Sequence, residues 1–341
     1  MALTAQAASA GRLAAAADPG TTIGAMLIAI PGALPPLPVA AELARLLPQR
    51  APVLHGWLQA GVAHVAAFDP REHGCTPYEA WQLERAGYRP AAGEPLGAGL
   101  GPLLAGPAGA DGEPVWLAEL AHLSLGTDQA TLLDPATMDL RAEEAAALLD
   151  TARPCIDAAG FAADPLAPQR WRLRLPAGLA PRTASPAAVA GQPLRDWWNQ
   201  DAATRPWRRL LNEIQMAWHE HPVNEARAAR GAPPVNALWL YGGAAAWPAP
   251  ASSAAPADIA GQLEAPHRAG DWAGWLDALA ELDRRHLKPL AERAGLPARP
   301  VQLILLGGDR RATLTLKPRG RLLSWLPAPK KNWNAWWSRP V

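Results

Sequence analysis

Thirty-seven prolines and twenty-nine glycines run through the 341 residues, interrupting apolar stretches instead of gathering in one block. Proline removes a backbone donor and stops a helix, and glycine opens turn conformations, so this punctuation restricts the chain to many short elements. The apolar stretch 23–39 is cut by Pro31, Pro35 and Pro36, which predicts no membrane-spanning helix. With 49% hydrophobic residues there is still enough apolar surface for a sizeable core.

Between the breaks, helix-like and strand-like runs alternate. Ala25 to Ile30 (AMLIAI) predicts a strand stopped by Pro31-Gly32, and 40–47 predicts the helix after it. Residues 54–67 read as either a helix or a strand pair, 79–87 as a helix closed by Gly87, and 90–114 as a Gly/Pro-rich loop. A strand is expected at the start of VWLAELAHLSLG and an amphipathic helix from near Leu140. RWRLRL alternates strictly, with Trp171, Leu173 and Leu175 on one face and Arg170, Arg172 and Arg174 on a solvated or edge-protecting one.

Further on, 244–262 reads as a low-complexity loop, and Asp271 as the N-cap of a helix that carries Trp275, Leu279 and Leu282. The stretch PVQLILLGGDRRATLTL reads as a hairpin. No internal repeat is present. The expected organisation is a disordered tail at 1–22, a single composite α/β domain at 23–326 with a central sheet flanked by helices, and a Trp-rich tail at 327–341.

Thirty-two basic residues against thirty-one acidic ones leave a formal charge of +1, so no global field invites nucleic acid or an anionic membrane, and neither is expected as a partner. Cys75 and Cys155 form no CxxC pair, which argues against a disulfide framework or thiolate cage and suits a reducing cytoplasm. The N-terminal segment lacks the basic and Leu-rich regions of a signal peptide. Sixteen tryptophans against two phenylalanines are read as a compositional bias that fills core and surface alike, with Trp272 and Trp275 as core and Trp333, Trp336 and Trp337 too few for a nucleic-acid groove.

The densest polar segment is WRRLLNEIQMAWHEHPVNEARAARGAPPVNALWLYGG. Helical phasing puts Leu210, Leu211, Ile214, Trp218 and His221 on one face and His219 on the other, so the i, i+2 histidines do not form a zinc-type HExxH pair. Pro222 predicts a helix restart, Gly231 its left-handed stop, and Ala237 to Tyr241 a strand meeting Gly242-Gly243. Ligands gather beyond strand ends in α/β sheets, so His221, Asn224, Arg227, Asn236, Gly242 and Gly243 are the candidate anion-binding set. The competing structural reading makes His221 a core histidine, the asparagines backbone caps, and Arg227 and Arg230 complements of a helix dipole.

This segment resembles the RpfE-type regulatory proteins, a phosphoglycerate mutase-like family, with weaker echoes in VWLAELAHLSL, RWRLRL and GDWAGWLDALAELDRRHLKPL; the likeness spans about Val115 to Leu326. The order HPVN, Arg, Gly, Pro, Asn also resembles a segment of archaeal-type cofactor-independent phosphoglycerate mutases. That resemblance implies an alkaline-phosphatase-like α/β sandwich, a phosphorylated three-carbon acid, and two divalent metals held by aspartates and histidines beside a phosphoryl-carrying hydroxyl.

The sequence departs from that pattern. Proline and glycine stand at Ile30-Pro31-Gly32, where such enzymes place an aspartate, and no late Asp-x-x-x-His pair occurs. Ser124, Thr127 and Asp128 lack histidine partners at metal spacing. Asp69, His73 and Cys75 offer only three ligands among turn residues. The expectation is therefore an incomplete version of the fold and a non-catalytic or degenerate mutase-like protein. It would bind a small anionic, phosphorylated metabolite or a protein partner in regulation and need no cofactor. An active mutase, an isomerase with divalent metal, and a structural interaction protein are the alternatives.

Overall fold

The computed structural model describes residues 25–106, 112–126, 129–198, 201–248, 256–292, 295–318 and 331–338. The tail expected at 1–22 lies outside them.

Eleven strands occur among these residues: β1 (Met26–Leu34), β2 (Val62–Ala67), β3 (Pro114–Ala121), β4 (Leu123–Leu125), β5 (Ala130–Leu132), β6 (Ala162–Ala167), β7 (Arg170–Arg174), β8 (Ala237–Ala245), β9 (Ala257–Ile259), β10 (Val301–Gly307) and β11 (Arg310–Leu316). They form a mixed sheet ordered β2-β11-β10-β1-β9, an antiparallel sheet ordered β6-β7-β3-β8, and the β4-β5 pair. The fold is α/β, with a central mixed sheet flanked by helices.

β1 runs parallel to β10 and β9 and is covered on both faces, which explains why its sequence is an unbroken apolar run. On one side, helices Leu37–Arg50, Pro52–Ala60 and Trp272–Leu282 pack Leu47, Trp57 and Trp275 against Ile28, Ile30 and Leu303. On the other, Trp81 of helix Pro77–Arg85 packs with Ala29, Ile304 and Leu306. The strand passes the expected stop at Pro31-Gly32 and ends at Leu34, with an irregular register between Pro31 and Leu34. Gly32 permits this through φ +75°, and a Cβ there would lie 2.5 Å from the Leu263 carbonyl oxygen.

The antiparallel sheet has its own two layers. Helices Ala142–Ala158 and Arg205–Trp218 cover one face with Leu148, Ile156, Leu210, Ile214 and Trp218, against Trp171 and Leu173 of β7. Leu117 and Tyr241 meet Cys75, Leu83, Tyr88 and Leu100 on the other. The expected 90–114 loop contains helix Leu100–Ala105, and β9 lies inside the expected 244–262 loop, pairing with β1. Trp57, Trp171, Trp218, Trp275 and Trp337 are fully buried, so much of the tryptophan excess is core. Each such indole removes about 200 Å² from water, worth roughly 5 kcal/mol at about 25 cal/mol per Å².

The arginine face of β7 is less solvated than its alternation suggests. β7 is an interior strand, and Arg170 bonds at 2.7 Å to the buried Glu119, which also accepts from the Tyr241 hydroxyl at 2.8 Å. Burial, reinforced by the Glu119 carboxylate, holds the Tyr241 phenol well above its usual range.

Candidate functional site

The polar segment folds as helix Arg205–Trp218, a break, and helix Pro222–Ala229. Pro222 occupies the first turn of the second helix, where a missing N–H costs nothing, and Gly231 follows with φ +74°. His221 is the N-cap: its Nδ1 accepts from the Val223 N–H at 3.1 Å, leaving Nε2 to donate to the Thr151 hydroxyl at 2.9 Å in the neutral tautomer.

Asn224 is buried and ties the helices to the approaching strand. Its Nδ2 donates to the carbonyls of Trp218 and Val235 at 2.8 and 2.9 Å, and its Oδ1 accepts from the Val235 N–H at 2.8 Å. Asn236 extends this pattern with a different partner. Its Oδ1 accepts from the Leu123 N–H at 2.7 Å while its Nδ2 donates to the Leu123 carbonyl at 3.0 Å, so the amide side chain imitates one more ladder residue.

Arg227 is 0% exposed. Its Nε donates to the Pro233 carbonyl at 2.9 Å, its Nη1 to Glu144 at 2.8 Å and to the Asp139 carbonyl at 3.3 Å, and its Nη2 to the Met138 carbonyl. Arg230 closes on the same Glu144 carboxylate from its more exposed side. Glu144 also accepts from the Arg141 N–H at 3.1 Å. The bond from Arg230, with those from Arg141 and Arg227, outweighs burial and lowers the Glu144 carboxyl to about 2. Asp139 turns its carbonyl toward both arginines from a left-handed conformation at φ 45°, a strained position for a non-glycine residue.

His221, Asn224 and Arg227 thus sit in one knot, all engaged by internal partners. Gly242 and Gly243 do not join them. They lie inside β8 instead of beyond its end, six residues from Asn236 and roughly 20 Å along an extended strand. Their positive φ values of +89° and +110° accommodate the register shift opposite Pro114 and Trp116. A Cβ on Gly243 would fall 2.4 Å from the Trp116 ring, and one on Gly242 2.8 Å from the Val115 carbonyl oxygen. The strand-end rule behind their nomination describes open α/β sheets, whereas β8 pairs antiparallel in the other sheet.

The parallel strands β1 and β10 do have a carboxyl edge, and it presents donors. Arg310, 3% exposed, gives Nη2 to the carbonyls of Pro35 and Trp337 at 2.9 and 2.8 Å and pairs with Asp309 through Nη1 at 2.6 Å. The helix Asn334–Trp337 thereby docks at this edge. His267 contacts the Leu34 carbonyl at 3.1 Å through Nε2, and burial pushes its ring below the usual histidine range. Arg310 Nε and the Trp337 indole N–H are buried without an acceptor among the described residues. Orphaned donors beside a guanidinium call for an oxygen, so this edge does not fit the divalent metal pair that the resemblance implies.

No group of three or more His, Cys, Asp or Glu residues positioned to hold a metal occurs among the described residues. Asp69 instead caps a turn by accepting from the Arg71 N–H at 2.9 Å, His73 packs tilted against Phe68 with ring centroids 4.4 Å apart, and Cys75 is buried, its thiol pushed up by burial and by nearby Glu79. Ser124 lies on β4; Thr127 and Asp128 lie outside the described residues. Sequence reasoning passed over Glu144 and Thr151, whose only signal was a place on the buried side of an amphipathic helix next to an arginine-rich one.

No protein-family model matches the chain, and no curated protein matches it. Among solved structures it is similar to the cofactor-independent phosphoglycerate mutase from Thermoplasma acidophilum DSM 1728, at 15% identity over 93% of this chain and 96% of that one, with a TM-score of 0.32. It is also similar to the PH0037 protein from Pyrococcus horikoshii, at 14% identity over 91% of each chain, with a TM-score of 0.42. At these values the likeness bears on neither ligand nor activity. No helix among the described residues is long and apolar enough to cross a membrane.

Proposed function

We propose that this is a non-catalytic or degenerate phosphoglycerate mutase-like protein of RpfE type, which binds a small anionic metabolite or a protein partner in a regulatory role. The observation that carries the reading is the carboxyl edge of β1 and β10, where Pro31, Gly32 and the buried Arg310 stand and the orphaned groups are donors. Two divalent cations need carboxylates and imidazoles there, and a guanidinium repels them. Supplying the purified protein with manganese or zinc and assaying interconversion of 2- and 3-phosphoglycerate tests this. No turnover and no stoichiometric metal are expected; metal-dependent turnover would replace the reading with an active mutase.

The closed Arg227 favours a second reading for its own segment, that of a packing motif in an interaction protein. For His221, Asn224, Arg227 and Asn236 to receive an anion, the ligand would have to displace Glu144 from both arginines. Phosphoglycerate binding that is lost in Arg227→Lys while the fold survives would support the anion role for this segment.

A further inference from the structure

Away from the knot, an open cleft is lined by Trp197, Trp198, Trp207 and Trp239, with Arg182 exposed at its rim and Arg208 held by Nη1 bonds to the Asp201 carbonyl at 3.0 Å and the Thr204 hydroxyl at 2.6 Å. Trp197 and Trp198 follow the turn Leu194–Asp196, Trp207 stands on helix Arg205–Trp218, and Trp239 stands on β8. Trp207 and Trp239 are nearly buried, and the Trp239 N–H is already committed to the Ala184 carbonyl at 2.8 Å. Trp197 and Trp198 are only half-buried, and the Trp198 ring lies 6.1 Å from that of Trp239 at 51°. Apolar ring surface of Trp197 and Trp198 is thus left facing solvent beside a guanidinium, where a flat ligand can lie against it.

The charge at the cleft selects the ligand. Its lining holds Arg182 and Arg208, no acidic residue, and two threonines, of which Thr204 already gives its hydroxyl to the Asp201 carbonyl at 2.8 Å. Arg182 is exposed, donates Nη2 to the Glu72 carbonyl at 2.8 Å, and makes no ion pair among the described residues. Aromatic walls alone would suit a cationic ligand as well as any other, but guanidinium charge at the rim disfavours one. A carboxylate matches the planar fork of arginine, and a flat ring matches the indole faces.

We propose that the cleft between Trp198, Trp239 and Arg182 is a binding site for a flat aromatic carboxylate. The site uses none of the residues of the knot or of the β1 edge, so it stands whether or not the protein turns over phosphoglycerate.

Calorimetric titration with 1-naphthoate, 1-naphthalenemethanol and 1-naphthylmethylammonium tests the proposal. One site is expected for naphthoate, about tenfold tighter than for the alcohol, with the ammonium weakest. Arg182→Gln, at an exposed position, should erase the preference for naphthoate over the alcohol, and Arg182→Lys should keep part of it. Trp198→Ala should weaken naphthoate and alcohol together. The absence of saturable naphthoate heat, equal binding of the ammonium, or an Arg182→Gln variant that keeps the preference would overturn the assignment. So would a decaproline peptide that binds more tightly than naphthoate and ignores Arg182→Gln, since the cleft would then be a peptide groove.

Discussion

Arg227 and Arg182 carry the same guanidinium into opposite circumstances. Arg227 is sealed, with Glu144 and three backbone carbonyls consuming its donors, whereas Arg182 stands exposed at the lip of an aromatic cleft with one carbonyl bond. A buried cation that finds an internal carboxylate holds two helices and a strand approach in register, and its removal is felt as lost stability. An exposed cation without a carboxylate contributes little to folding and keeps its charge for a ligand. Chemical composition does not separate the two; what separates them is whether the fold itself supplies the counter-charge.

The comparison can be broken first at Glu144. Glu144→Ala strands Arg227 in the interior, and a loss of about 3–5 kcal/mol is expected in the unfolding free energy from denaturant titration; a cost below about 1 kcal/mol would mean that water reaches the guanidinium. Asn224→Ala leaves the Val235 N–H and carbonyl without their side-chain partner and the Trp218 carbonyl with the His221 N–H alone, for an expected loss of about 2–3 kcal/mol by the same measurement. Gly243→Ala should cost about 1–3 kcal/mol through its positive φ and the Trp116 ring. Arg182→Gln should change the unfolding free energy by less than about 0.5 kcal/mol while weakening naphthoate about tenfold.

Acid sharpens the same contrast. Because the Glu144 carboxyl is lowered from 4.5 to about 2, only the unfolded chain takes up its proton between those values. Its contribution is complete above about pH 4.5 and drains away as the pH falls through about 2. Glu144→Gln should therefore flatten the acid limb of the stability curve in that window, and Arg182→Gln should leave the limb unchanged.

Much of the fold was legible in the sequence because its signals are local. The β1 run, the Pro222 restart, the Gly231 stop and the Asp271 cap, which accepts from the Gly274 N–H at 2.9 Å, each rest on residues within a few positions of one another. What could not be read depends on distant pairing. Glu144 reaches Arg227 across 83 positions, and Asn236 meets Leu123 across 113. Nothing near either partner announces the other. The glycines misled for a related reason: Gly242-Gly243 resembles a strand end, but its need for glycine comes from Trp116 and Val115 on the neighbouring strand. Trp197 and Trp198 belonged to an excess read as compositional bias, and only the fold shows their faces left open beside Arg182.

Backbone hydrogen exchange with and without saturating 1-naphthoate puts the two regions side by side in one experiment. The account predicts added protection at 181–183, 197–198, 204–208 and 239–240, and none at 144 or 221–236. Protection centred on 221–236 and Glu144, with the cleft unchanged, would contradict it.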